Sequence, residues 1–584
     1  MIKYILIAET LETLENTTKK NEIVNIISNM LKSIPDNEIS KVVYLLKGTI
    51  GPDYISKPLG VAESYIIKAL SQLSGMSEES IKYEYNKIGD LGDVAKNIIK
   101  VKKQSFLVNE PLTVEYVFEN FTLISNVSGA KSQSAKVKYI LNLLSTSSEI
   151  EAKYIVRSLL GKLRLGVADM VIISAIAKSF LTENDEEIVE NAFNISADLG
   201  MVAEIAKKEG IMGLSAISPL PGRPLKVMLG ERAEIIKDIV DHIGLPCMIE
   251  YKYDGLRLQL HKQNDNIMLF SRGMDNVTKQ FPEITENAKM FFSNINNIIL
   301  DGELVAINTE NNTLMPFQEL SKRRGRKYEI GEKTKQIPVK YFIFDILLLN
   351  DISMLKKPFT ERRRVIESII NVENRYFTIS KGQIANLEEE IEDIFINALE
   401  YGCEGIMAKS TKENSYYMAG SRGWTWIKYK KDYRTELSDT IDAVVVGAFY
   451  GHGKRSNLYG AYLLAVYNPI ENSFETICKV GTGFSDEDLK DLYSLFSSKK
   501  QSNKPANVNS KIIPDVWVSP EVVLEISGAE ISISPNHTCN ISSGKGLAVR
   551  FPRFLRKRED KKANDCTTTK EIIEMYNQQI KTKL

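Results

Sequence analysis

Four residues whose side chains could act together on a phosphate fall at fixed spacing in one short stretch: Lys252, Asp254, Gly255 and Arg257. A lysine amine can attack an electrophilic phosphorus or carbonyl centre once it has lost its proton. The ordinary lysine pKa is about 10.4, and partial burial or nearby cations favour the neutral amine. Arg257 and lysines later in the chain can supply such a positive field. The plainer alternative is an exposed lysine beside a turn. A pattern of four specified residues occurs by chance in only about one window in 10⁵ at ordinary residue usage, which favours the chemical reading.

Other candidates follow downstream. Glu303 projects from the apolar run Ile298–Ala306, and Glu404 precedes Gly405-Ile406-Met407-Ala408-Lys409. Carboxylates are hard oxygen ligands suited to Mg²⁺, which takes one or two of them and keeps several waters. Phe344 offers a flat face for a purine, or simply fills a core. Trp426, Lys428 and Lys430 alternate along one run, so they share a strand face on which lysines can grip phosphate; a solvated edge strand is the bland counterpart.

These residues need elements to hold them. Alternation on both sides of Asp254-Gly255 predicts a β-hairpin with Lys252 at the end of its first strand. Asp301-Gly302 marks a turn or bulge within a strand, Tyr341–Leu349 reads as a further strand, and a helix over Glu388–Tyr401 leads to Glu404. Before this region, residues 1 to about 213 carry apolar residues at three- and four-residue spacing, as in Ile23, Ile26, Ile27, Met30 and Leu31, and read as all-α. Arg157, Lys162 and Arg164 within it suit either a solvated surface or phosphate contacts. The Pro/Gly-rich passage Ser218–Pro224 closes the helical part. After Thr440, short β runs alternate with glycine-rich turns, as in a small β-barrel of OB type, and a helix over Thr569–Ile580 ends the chain.

At 584 residues the chain exceeds one core. Its formal net charge is zero, yet charge is locally concentrated: Gly544–Lys562 holds eight Lys or Arg against two acids, and Ser421–Arg434 five against one. Both stretches suit phosphate contacts or a solvated face. The five cysteines are scattered, with no C-x-x-C spacing, which argues for a reducing compartment and against a disulfide framework or zinc site. The four histidines make a His-based metal site or catalytic triad a poor fit. No signal peptide or membrane-spanning run is expected, so the protein should be cytoplasmic.

Taken in order, these segments resemble the motif series of the ATP-dependent DNA ligases of archaeal and eukaryotic replicative type. Lys252–Arg257 resembles the first motif, Ser271-Arg272-Gly273 the next, Leu300–Glu303 the third, and Phe344-Asp345 its companion. Glu404–Lys409, Trp426–Lys430 and Arg558–Lys561 resemble the last three, and Glu151–Gly166 is similar to part of the helical DNA-binding domain of that family. The resemblance implies a multidomain chain: an all-α DNA-binding domain over 1–217, an α+β nucleotidyltransferase (ATP-grasp-like) adenylation core over 218–438, and a β-barrel OB-fold domain over 439–584. It implies ATP and Mg²⁺ as cofactors, Lys252 as the residue that takes AMP, and metal contacts at Glu303 and Glu404. It also implies nucleotide contacts at Glu250, Arg257, Arg272, Glu303, Phe344, Lys409, Trp426, Lys428 and Lys430, with Arg558 and Lys561 on pyrophosphate.

The substrate so implied is nicked duplex DNA, sealed by a monomer associated with the nucleoid, with Lys103–Leu107 similar to a sliding-clamp peptide. RNA ligases and capping enzymes share the lysine motif but fit the large helical part less well. NAD-dependent ligases carry a four-cysteine zinc module absent here. A catalytically silent DNA-binding scaffold is the rival from another class.

Overall fold

The computed structural model describes residues 1–584 except 56–58, 60, 102–109, 128–131, 164, 166, 309, 311–312, 324–335, 371–373, 431–438, 452–457 and 582–584. Lys103–Leu107 and Arg164 therefore lie outside the described residues. The chain divides into two compact units, Met1–Lys428 and Tyr429–Leu584.

The first unit opens with helices running from Ile5–Glu15 to Leu199–Ser215. The three- and four-residue spacing does what it predicts: on Lys20–Ser33, Ile23, Ile27, Met30 and Leu31 are buried and Ile26 packs beside them. Ser148 caps the Glu149–Leu159 helix in a reciprocal capping box with Glu151. That helix carries Arg157, which is neither a solvated surface charge nor placed on the surface for phosphate. It is buried, with its guanidinium paired to Glu15 at 2.9 Å and to Asp90 and Asp93 at 3.2 Å each. Lys162 is exposed and paired with Glu63 at 2.8 Å.

The helical part passes into a two-sheet body. Its strands are β1 (Leu229–Arg232), β2 (Cys247–Lys252), β3 (Leu256–Gln263), β4 (Asn266–Ser271), β5 (Asn297–Asn308), β6 (Thr313–Leu314), β7 (Val339–Leu349), β8 (Ile352–Ser353), β9 (Phe377–Ile379), β10 (Gly382–Ala385), β11 (Gly405–Ser410) and β12 (Arg422–Lys430). One sheet has the order β1-β12-β11-β2-β10; the other runs β4-β3-β5-β7-β8, with β6 on β5 and β9 on β7. The linker is stitched to this body by Gln259, which accepts from the Leu225 N–H at 3.0 Å and donates to its carbonyl at 2.8 Å.

The hairpin expected around Asp254-Gly255 does not form. β2 pairs with β10 and β11, whereas β3 pairs with β4 and β5, so the turn carries the chain from one sheet to the other. Neither Asp254 nor Gly255 adopts the positive φ that a two-residue hairpin turn of the usual kind requires. The tight hairpin joins β3 to β4 instead, with Asn264 left-handed at φ 51°. Asp301-Gly302 is neither a turn nor itself the bulged pair: it lies within the continuous strand β5, and the extra residue is on the partner strand, where β7 passes from Asp345 (opposite Asp301) to Ile343 (opposite Gly302) and leaves Phe344 unpaired in the ladder.

The second unit is strand-rich. Ile441–Tyr450 pairs antiparallel with Tyr459–Asn468 on one side and with Val516–Val518 and Val523–Ser527 on the other. Val523–Ser527 in turn pairs with Arg553–Arg558, and the terminal helix spans Thr569–Lys581.

Arg362 and Asp345 are fully buried in the two-sheet body and joined by paired bonds of 2.7 and 3.0 Å, while Arg362 also donates to the Ser415 carbonyl at 3.0 Å. Removing one partner strands the other charge. Denaturant unfolding of Arg362→Ala is expected to show a loss of roughly 3 to 5 kcal/mol, whereas Lys357→Ala, which breaks an exposed pair with Glu361, is expected to stay within about 0.5 kcal/mol of the parent.

Candidate active site

Lys252 ends β2, and Gly405, the first residue of β11, is its partner across the ladder. The Glu404 N–H donates to the Lys252 carbonyl at 3.0 Å, so strand pairing itself seats Glu404 beside the lysine, and the two side chains form an ion pair. Glu303 arrives from the other sheet, on β5 opposite Arg257 of β3. Gly255 permits this approach, because a Cβ there would stand 2.3 Å from the Leu304 carbonyl oxygen and 3.0 Å from Glu303 Cγ.

Burial pushes the Glu303 carboxyl up to about 7; Glu404 and Asp301 push the same way, against Lys252 and Arg257. Glu404 and Glu303 thus both lie near one lysine in a partly desolvated place. Among the described residues no group of three or more His, Cys, Asp or Glu gathers as a metal cage. Two carboxylates fit Mg²⁺, which completes its octahedron with water and phosphate oxygens.

Arg257 is held from three sides. It donates to both Asp301 oxygens, at 3.1 and 2.7 Å, and to the Met228 carbonyl at 2.8 Å. The Tyr417 hydroxyl donates to the same Asp301 carboxylate at 2.7 Å and accepts from the Met228 N–H at 3.1 Å. The guanidinium lies 5.2 Å from the Phe344 ring centre and 5.8 Å from that of Trp426. Phe344 is partly exposed and meets Trp426 edge-on at 6.0 Å. It is therefore an aromatic surface bordered by cations, not a sealed core residue.

Glu250 is buried between two cations, accepting from Arg363 at 2.9 Å and pairing with Lys409 at 2.8 Å. Lys409 is itself buried, which pulls its pKa down against the pull of Glu250 and Asp345; it donates to the Phe344 carbonyl at 3.0 Å and stands 4.3 Å from the Trp426 ring centre. Lys428 is partly buried on β12 and Lys430 follows it two residues on, while Arg272 is exposed in the turn after β4. In the second unit, Arg558 and Lys561 both bond to Asp442.

The structure thus gathers Lys252, Glu303, Glu404, Arg257, Phe344, Trp426, Glu250 and Lys409 around the place where the two sheets meet. Sequence reading missed Asp301, Tyr417, Arg363 and Asp442. Asp301 lay inside a motif but was read only as a turn residue, and the others carry no local signal of their partners.

In the folded protein the Glu303 carboxyl titrates near 7 against an ordinary value of 4.5. Its contribution to stability is therefore complete below the ordinary value and lost as pH rises through about 7. Metal-free wild type is expected to lose stability relative to Glu303→Gln between about pH 4.5 and about pH 7, by up to roughly 3 kcal/mol in paired thermal or denaturant unfolding curves. A difference between the two proteins that does not vary with pH would contradict this assignment.

Three family models match this chain: the DNA ligase N terminus over residues 3–177, the ATP dependent DNA ligase domain over 227–430, and the ATP dependent DNA ligase C terminal region over 455–561. A DNA ligase of Thermoplasma volcanium is 44% identical over 585 residues, covering 100% of this chain and 99% of that protein. One of Sulfurisphaera tokodaii is 39% identical over 100% of this chain and 98% of its own length. A solved structure named Pmar-Lig_PreS3 covers 94% of this chain and 99% of its own with a TM-score of 0.56 at 17% identity, a likeness of fold. With the lysine and its carboxylates in place and full-length relatives at this identity, the chain belongs to the ATP-dependent DNA ligase family.

Proposed function

We propose that this member of the family, which seals nicks in duplex DNA, does so with Lys252 as the nucleophile. The convergence of Lys252 with Glu404 and Glu303 where the two sheets meet carries this reading. Once Lys252 has given its ammonium proton to solvent, its neutral nitrogen attacks the α-phosphorus of ATP, the bond to the bridging oxygen breaks, and pyrophosphate leaves with that electron pair while the extra proton on the new P–N nitrogen also passes to solvent. AMP then moves from the lysine to the 5′-phosphate of the nick, and the 3′-hydroxyl displaces AMP to close the strand.

The chain's own residues have separate tasks here. Phe344 stacks on adenine with Glu250 at its exocyclic edge; Arg257 and Arg272 hold sugar or phosphate oxygens; Lys409, Trp426, Lys428 and Lys430 line the α-phosphate side. Glu303 and Glu404 would hold Mg²⁺, which when bound supplies Lewis-acid charge to the phosphates. Arg558 and Lys561 orient the departing pyrophosphate. Lys252 leaves its ion pair with Glu404 as that carboxylate is taken up elsewhere.

We assign residues 1–217 to an all-α DNA-binding domain, 218–438 to adenylation and 439–584 to an OB-fold domain, in a monomer acting on nucleoid DNA in the cytoplasm, with a sliding clamp as a candidate partner. Among the described residues no helix is long and apolar enough to cross a membrane. RNA ligase, capping enzyme and silent scaffold are not favoured over nick sealing.

Incubation with Mg²⁺ and ATP labelled at the α-phosphate is expected to leave label on wild type after denaturing electrophoresis, and none on Lys252→Ala or after chelation of the metal. Unlabelled wild type that is not already adenylated would reject the nucleophile assignment. Nick sealing should fall by about 10-fold or more between low and moderate salt, since contact is mainly with the DNA backbone; sealing nearly indifferent to salt would count against that picture.

A further inference from the structure

The second unit contains an arrangement that the motif pattern does not encode. Asp442, on the Ile441–Tyr450 strand, is 7% exposed and accepts from both cations of the C-terminal motif. Arg558 Nη1 lies 3.0 and 2.9 Å from its two carboxylate oxygens, and Lys561 Nζ is 2.7 Å from the second. The other edge of the Arg558 guanidinium is gripped by Asp560, through Nε at 2.9 Å and Nη2 at 2.8 Å.

Asp442 is itself fixed. Its N–H donates to the Thr567 hydroxyl at 3.0 Å, its carbonyl accepts from the Thr567 N–H at 2.8 Å, and it faces Glu525 across the ladder. Glu525 in turn holds Arg556 at 2.6 Å and stands 3.7 Å from Arg558. Two cations brought onto one carboxylate oxygen are closer than their mutual repulsion would leave them, and the anion that holds them sits on a sheet strand and not on a loop.

We propose that Asp442 is a positioning residue that sets Arg558 and Lys561 side by side as a two-pronged fork for a polyphosphate, and so acts in the adenylation step alone. Lys561 has three N–H donors and uses one on Asp442, so the others remain for a phosphate oxygen without breaking the fork. The fork is held by the protein's own carboxylate, which spares the ordering of two long side chains during the reaction. This inference rests on the reading of Arg558 and Lys561 as pyrophosphate contacts.

The test separates the steps in the full-length enzyme, using Asp442→Asn, which keeps shape and backbone, and Asp442→Glu, which keeps charge. Asp442→Asn is expected to lower kcat/KM for labelling by α-labelled ATP about 10-fold or more, while sealing of a chemically pre-adenylated nick stays within about twofold of wild type. Asp442→Glu should recover part of the labelling rate. The reverse reaction, in which added pyrophosphate attacks the lysyl-AMP phosphorus and releases ATP, should weaken in parallel with labelling.

Arg558→Ala and Lys561→Ala serve as references. If both label at the wild-type rate, the pyrophosphate reading of the motif fails and the inference falls with it. If they lose labelling and Asp442→Asn does not, only the role of Asp442 is overturned. Equal loss of labelling and of pre-adenylated sealing in Asp442→Asn would make Asp442 a structural residue and overturn the proposal as well.

Discussion

The pairing of β2 with β11 is the constraint on which the site depends. Because the Glu404 N–H bonds to the Lys252 carbonyl, the carboxylate is delivered to the lysine by backbone register and not by side-chain search. Glu303 must come from a separate sheet, so the crossover at Asp254-Gly255 has to press against β5 closely enough that only glycine fits. The chemistry is thus hung on two rigid ladders whose relative placement is fixed by tight backbone contact, which suits phosphoryl transfer, where positioning and charge do most of the catalysis.

Around that point the molecule holds its charges by opposing them. Arg257 is balanced by Asp301, Lys409 by Glu250, and Arg362 by Asp345, each in buried or nearly buried surroundings. An unpaired buried charge would be costly, so each cation is seated with its own carboxylate and further hydrogen bonds. The same pairing recurs in the second unit, where Asp442 accepts from Arg558 and Lys561. Glu303 differs: burial holds its carboxyl pKa up against the pull of Lys252 and Arg257.

The helical part follows a related rule. Lys153 and Arg157 are buried among the helices with Glu12 and Glu15 of the first helix, Asp93 of the Leu91–Val101 helix and Asp90 just before it converging on them. Such a network ties distant helices together by specific partners, beyond what the apolar faces supply.

The sequence alone determined the local elements and the chemical types of the site. Apolar spacing set the helices, alternation set most of the strands, and the fixed spacing around Lys252, with the later Glu303, Glu404 and Lys409, announced phosphate chemistry. Only the tertiary structure decided who pairs with whom. Alternation reports that a strand is buried but not its neighbour, so Asp254-Gly255 looked like a hairpin when it is a passage between sheets. A basic residue in a polar stretch looks alike whether it meets water or three carboxylates, so Arg157 could not be placed. Asp442, Tyr417 and Arg363 were silent because the partners that give them their place, Arg558 for Asp442, Asp301 and Met228 for Tyr417 and Glu250 for Arg363, lie between 113 and 189 residues away, joined to them by the fold and not by any local pattern.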